Sequence, residues 1–179
     1  MSIQPQNVHT ALSKYILVDG FDLVLDLKKS KGCQIYNAKT GEKMLDLFSF
    51  FGTAPLGSNP PQLMEPSFLK KIGEIAVNNP SNSDVYTPEM AEFVDTFGKY
   101  AVPNNFHHLF FIAGGALAVE NALKTAFDWK VRKNIQQKKS EKGTKIIHFK
   151  EAFHGRSGYT LSMTNTFFVD KTRYFTKFN

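Results

Sequence analysis

An α/β fold is predicted for this chain by three observations: a strand, glycine turn, long helix and second strand in succession, a set of short strand-like runs near the N-terminus, and helical periodicity between them. The run Leu109-Phe110-Phe111-Ile112 is compact and apolar and ends in Ala113-Gly114-Gly115-Ala116. Val119, Ala122, Leu123, Ala126 and Phe127 then recur at helical spacing and form one apolar face. Lys145-Ile146-Ile147-His148-Phe149 follows as a second strand. This order makes a βαβ unit, whose ligands bind beyond the carboxyl ends of the strands.

Nearer the N-terminus, Leu23-Val24-Leu25-Asp26-Leu27, Gln34-Ile35-Tyr36 and Met44-Leu45-Asp46-Leu47-Phe48 read as three short strands. The turn Ala38-Lys39-Thr40-Gly41 joins the last two, which predicts a β-meander. A loop rich in Gly, Pro and Asn runs from Gly52 to Pro61, and a polar loop from Asn78 to Ser83. A helix is predicted from Pro88, with Thr87 as its N-cap and Met90, Phe93, Val94 and Phe97 on its apolar side.

Composition sets the class. A chain of 179 residues with 42% hydrophobic and 21% charged residues is an ordinary globular protein with a core to bury. Its single cysteine, Cys33, excludes an intramolecular disulfide framework and suits a reducing compartment, so a cytoplasmic location is expected. The polar start from Ser2 to Asn7 does not read as a secretory signal, and no apolar run reaches the roughly 20 residues of a membrane span. Much of the net charge of +6 sits in Lys130, Arg132, Lys133, Lys138, Lys139, Lys142 and Lys145. That stretch has no aromatic interleaving, so it reads as a solvated helix end and loop, and no nucleic-acid partner is expected. His107 and His108 adjoin each other without a Cys or acidic ligand at useful spacing, so no metal site is expected. Ser157 and Ser162 have no evident base, which leaves a serine nucleophile unsupported.

Two motifs carry chemistry. At Gly114-Gly115-Ala116 a helix opens, so unpaired N–H groups and the positive end of the helix dipole converge there. The turn is either a phosphate site or a tight connection that binds nothing; it is neither a dinucleotide fingerprint nor a P-loop. Phe153-His154-Gly155-Arg156 offers an aromatic face, an imidazole and a guanidinium at a strand end. A ring there can stack on a planar cofactor and an arginine can hold a carboxylate, while the plainer reading is a core phenylalanine, a loop histidine and a surface arginine.

Taken together, the run from Gly114 to Lys124 resembles the cofactor-phosphate turn and helix of class III aminotransferases, and Phe153-His154-Gly155 resembles their ring-stacking motif. One departure is Leu117, where the family usually carries glutamate. Phe127-Asp128-Trp129-Lys130, the run from Ala152 to Ser162 and Asn79-Pro80-Ser81-Asn82-Ser83-Asp84-Val85-Tyr86 are similar to L-lysine 6-aminotransferases in particular. The resemblance implies the N-terminal part of a fold-type I transferase: an N-terminal segment with the meander over residues 1–60, and the start of a large cofactor-binding domain over 61–179. It implies pyridoxal phosphate as cofactor, L-lysine and 2-oxoglutarate as substrates, and a homodimer. Gly115 and Ala116 would bind the cofactor phosphate, with Gly114 permitting the turn. Phe153 would stack on the ring, His154 would help place it, and Arg156 would bind the substrate carboxylate. The lysine that bonds the cofactor lies downstream in the family, and neither Lys171 nor Lys177 sits in a matching context. The chain is therefore expected to be partial, to hold no catalytic residue and not to transaminate alone. The alternatives are another class III ω-aminotransferase, acting on ornithine or 4-aminobutyrate, and a non-catalytic phosphate-binding module.

Overall fold

The computed structural model describes residues 2–166 and 172–178, so that Lys171 lies outside the described residues. It divides into two compact units, residues 1–100 and 101–179.

In the first unit, a short helix α1 (Val8–Leu12) precedes an antiparallel hairpin of β1 (Gln34–Tyr36) and β2 (Lys43–Leu45), with Ile35 opposite Met44. Asn37 starts the connecting turn: its carbonyl accepts the Gly41 N–H at 2.7 Å and its side chain accepts the Lys39 N–H at 3.0 Å. Of the predicted three-stranded meander, the hairpin of the last two strands forms; the first does not, and the sheet of the described residues has two strands. Residues 23–27 make a single isolated bridge, Leu25 to Asn37 just past β1, because the Asp26 carboxylate turns the chain by accepting the N–H groups of Lys28 and Lys29, both at 3.0 Å. Asp46 ends β2 in the same way, accepting from Phe48 at 2.9 Å and Ser49 at 2.8 Å.

Beyond Asp46 comes a segment that the sequence does not foreshadow. In α2 (Ser49–Gly52), φ is positive at Ser49 (42°), Phe50 (50°), Phe51 (60°) and Gly52 (79°), so the turn is left-handed. Such a conformation costs roughly 1–2 kcal/mol per non-glycine residue. Phe48 offsets part of this by packing edge-on against Phe21, Phe50 and Phe51, with ring centroids 4.6–5.8 Å apart.

Helix α3 (Pro66–Ala76) starts on a proline, and α4 (Pro88–Tyr100) starts as predicted: Thr87 Oγ1 accepts the Met90 N–H at 3.2 Å. Lys71 and Glu92 join the two helices by an ion pair of 2.8 Å. Ahead of α4, the Asp84 carboxylate accepts hydrogen bonds from the Ser81 and Ser83 hydroxyls, which hold its pKa below the ordinary value.

The second unit is built on the long helix α5 (Gly115–Gln136) and the short α6 (Gly158–Met163). Leu123, Leu161 and Met163 are buried, and Tyr159 packs edge-on against Phe127 with centroids 5.4 Å apart. The seven cations of residues 130–145 are exposed; Arg132 pairs with Asp128 at 2.8 Å and Lys133 lies 4.7 Å over the Trp129 ring.

The two predicted parallel strands are corrected. Residues 109–112 and 145–149 form no β-ladder among the described residues, whose sheet is the β1–β2 pair of the first unit. A strand exists only through its neighbour's hydrogen bonds, and neither run has a ladder partner among the described residues. Their side chains stand correspondingly exposed, as at Phe110, Ile147 and Phe149.

Candidate functional site

The helix α5 begins at a residue only glycine suits. Gly114 is its N-cap with φ 88° and ψ 144°, and its carbonyl accepts the Ala118 N–H at 3.1 Å. The first-turn N–H groups of Gly115 and Ala116 have no hydrogen-bond partner among the described residues. They carry the positive end of a helix of 22 residues.

The second motif is brought onto this turn. Gly155 has φ +126°, and a Cβ added to it would lie 2.6 Å from the Ala116 methyl and 2.8 Å from Thr160 Oγ1. Thus the backbone of one motif touches the first helical turn of the other. Thr164 pins the loop from behind: its Oγ1 accepts the His154 N–H at 3.0 Å and donates to the Gly155 carbonyl at 2.7 Å. The Asn165 N–H closes the loop on the Ala152 carbonyl at 3.1 Å.

Around this scaffold the predicted site residues take distinct positions. Phe153 is 59% exposed, and the Arg156 guanidinium lies 5.8 Å over its ring. Arg156 is exposed and has no acidic partner within ion-pair range among the described residues. His154 is half-buried, stands edge-on to His148, and its Nε2 is buried without a hydrogen-bond partner. His107 and His108 are exposed, and the described residues include no cluster of three or more metal-ligating side chains.

Glu120 is a residue that sequence reasoning did not single out. One turn after Ala116, its buried carboxylate accepts hydrogen bonds from the Ser157 hydroxyl (2.8 Å), the Tyr159 N–H (3.1 Å) and the Thr160 N–H (3.3 Å). Burial pushes its pKa up, but those bonds, with Lys124 nearby, outweigh burial and hold it below the ordinary 4.5. The available signal was an acidic residue four after Ala116 and three before Leu123, on the apolar stripe of a helix. Ser157 serves this tie, so its hydroxyl is engaged structurally.

These residues lie inside a family match. The model of the family Aminotransferase class-III aligns with residues 17–175, and the chain belongs to that family. It is 48% identical over 178 residues to the L-lysine-epsilon aminotransferase of Streptomyces clavuligerus, which covers 99% of this chain and 39% of that protein. To the L-lysine-epsilon aminotransferase of Mycobacterium tuberculosis it is 51% identical over 164 residues, 90% of this chain and 36% of that protein. A solved structure of lysine aminotransferase from M. tuberculosis in the internal aldimine form superposes with a TM-score of 0.93 at 49% identity, covering 99% of this chain and 41% of that one. The ornithine aminotransferase of Toxoplasma gondii, at 17% identity and a TM-score of 0.60 over 98% of this chain and 38% of its own, shares the fold. The chain thus has the expected α/β aminotransferase fold in part, and spans about two fifths of the length of these relatives.

Proposed function

We propose that the protein carrying these residues is an L-lysine 6-transaminase, which moves the ε-amino group of L-lysine to 2-oxoglutarate with pyridoxal phosphate as cofactor. One observation carries the substrate: the chain is 48–51% identical to relatives named for lysine, against 28% over 137 residues for a probable 4-aminobutyrate aminotransferase of Bacillus subtilis. The N–H groups of Gly115 and Ala116 suit the cofactor phosphate, since they are unpaired and sit at the positive end of α5. His154 Nε2, buried and unpartnered, and the exposed face of Phe153 suit the ring, so the residues present fit the group. When bound, pyridoxal phosphate supplies the electron sink for amine transfer.

The chain's own residues do the positioning. Gly155 lets the loop approach α5, Phe153 stacks, His154 orients, and Arg156 holds the α-carboxylate at the far end of lysine through two parallel hydrogen bonds. That distance selects the terminal amine. The same reading includes a homodimer, a cytoplasmic location and a division near residue 60 between an N-terminal segment over 1–60 and the cofactor-binding domain that starts at 61. The test is glutamate formation from 2-oxoglutarate by the full-length protein with lysine, ornithine or 4-aminobutyrate. Lysine is expected to lead in kcat/KM by at least about tenfold, a gap of about 1.4 kcal/mol. A preference for either other amine overturns the assignment.

A further inference from the structure

We propose that Glu120 is a positioning residue that fixes the backbone of Arg156 and so sets where the guanidinium meets the substrate carboxylate. The inference rests on the functional reading above. Arg156 lies between two anchors. Before it, Gly155 is packed on Ala116; after it, Ser157 donates its hydroxyl to Glu120 at 2.8 Å. Ala116 and Glu120 are four residues apart on α5, hence on one face and separated by about 6 Å along the axis. The helix therefore holds the loop at two points one turn apart, and the only residue between them is the arginine.

The chemistry of the anchor is more than a helix cap requires. A hydroxyl at Ser157 suffices to start a helix of six residues such as α6. Instead, a carboxylate is buried and takes up the Tyr159 and Thr160 N–H groups from 39 and 40 residues away. Burying a charge is costly unless it is fully hydrogen-bonded, so the two oxygens stay in place only while the three donors do. Gly158 adds to the constraint: a Cβ there would lie 3.1 Å from Glu120 Oε1, so the turn sits directly on the carboxylate.

The experiment uses the full-length protein and its Glu120→Gln variant. An amide has one accepting oxygen and one donating nitrogen, so at least one of the three donors loses its partner. Three readouts are taken: visible-region circular dichroism of bound pyridoxal phosphate, KM for lysine, and kcat/KM for 1,5-diaminopentane, which is lysine without its carboxylate. E120Q is expected to bind the cofactor with an altered dichroism, to raise KM for lysine at least about fivefold, and to change the diamine by less than about twofold. Adding Arg156→Ala to E120Q is expected to cost less than about threefold more on lysine, because the two residues act through one contact. Equal losses on both amines, an unchanged KM for lysine, or a full additional Arg156 effect overturns the proposal. If E120Q does not fold, Ser157→Ala, which removes the hydroxyl donor to Glu120 together with its contact to Thr160 Oγ1, is read the same way, and an unchanged KM there overturns it. Failure of the unaltered protein to bind pyridoxal phosphate or to turn over lysine instead defeats the functional reading itself.

Discussion

Gly155 rests against Ala116 so closely that no side chain fits between them; a methyl on Gly155 would meet the Ala116 Cβ at 2.6 Å and the Ala116 Cα at 3.0 Å. Through this contact the loop from Phe153 to Arg156 is packed at Gly155 on the first turn of α5.

Gly155→Ala should accordingly destabilise the protein by about 2 kcal/mol or more, through both overlap and a φ of +126° that L side chains rarely adopt. Ala116→Gly should restore part of the loss, since it removes the Cβ but leaves the strained φ and the overlap with Thr160 Oγ1. Thermal melts of the two single variants and the double variant check this, and strict additivity would contradict the contact.

Arg156→Ala should lower kcat/KM for lysine by at least about tenfold, because a charge-assisted bidentate pair contributes roughly 2–5 kcal/mol on truncation. Arg156→Lys should rescue only part, as an ammonium lacks the planar fork. Turnover of 1,5-diaminopentane should be nearly indifferent to either change. Parallel losses with both amines would assign Arg156 to the fold instead of to substrate.

The depressed pKa of Glu120 makes a pH prediction with a definite sign. A carboxyl whose folded pKa lies below its unfolded value contributes stability above about pH 4.5, and loses it as pH falls through the folded value. The difference in denaturant midpoint between the unaltered protein and E120Q should therefore be largest near neutral pH and shrink below about pH 4.5. A difference that grows on acidification would mean that Glu120 is protonated in the fold.

The exposure of Ile147 at 102%, Phe149 at 88% and Phe110 at 71% leads to a prediction about the 179-residue chain by itself. Unpaired extended segments with apolar side chains template intermolecular pairing, so this chain should self-associate and bind apolar dyes. Light scattering from a purified sample checks it; a monodisperse, cooperatively melting species would refute it.

Several of these features were legible in the sequence for identifiable reasons. Thr87-Pro88 marks the start of α4 because cap and proline chemistry is local, and Gly114-Gly115 marks α5 because a positive φ at an N-cap suits glycine. The hairpin of residues 34–45 follows from alternation around a turn. The extended runs at 109–112 and 145–149 were legible as apolar segments but not as paired strands, since pairing depends on residues elsewhere. The left-handed turn at Ser49–Gly52 was not legible, because Ser, Phe and Phe have no local preference for positive φ. Glu120 stayed hidden because its partners are 37–40 residues away.

The closure of the loop by Asn165 on Ala152 has a consequence for biosynthesis. Every hydrogen bond described at the site falls between Gly114 and Asn165, a span of about fifty residues. At roughly 5–20 residues per second of translation, these contacts become available several seconds to half a minute into the synthesis of a chain as long as the relatives. The loop that presents Arg156 can then be preassembled on the nascent chain, a template against which later-emerging segments dock.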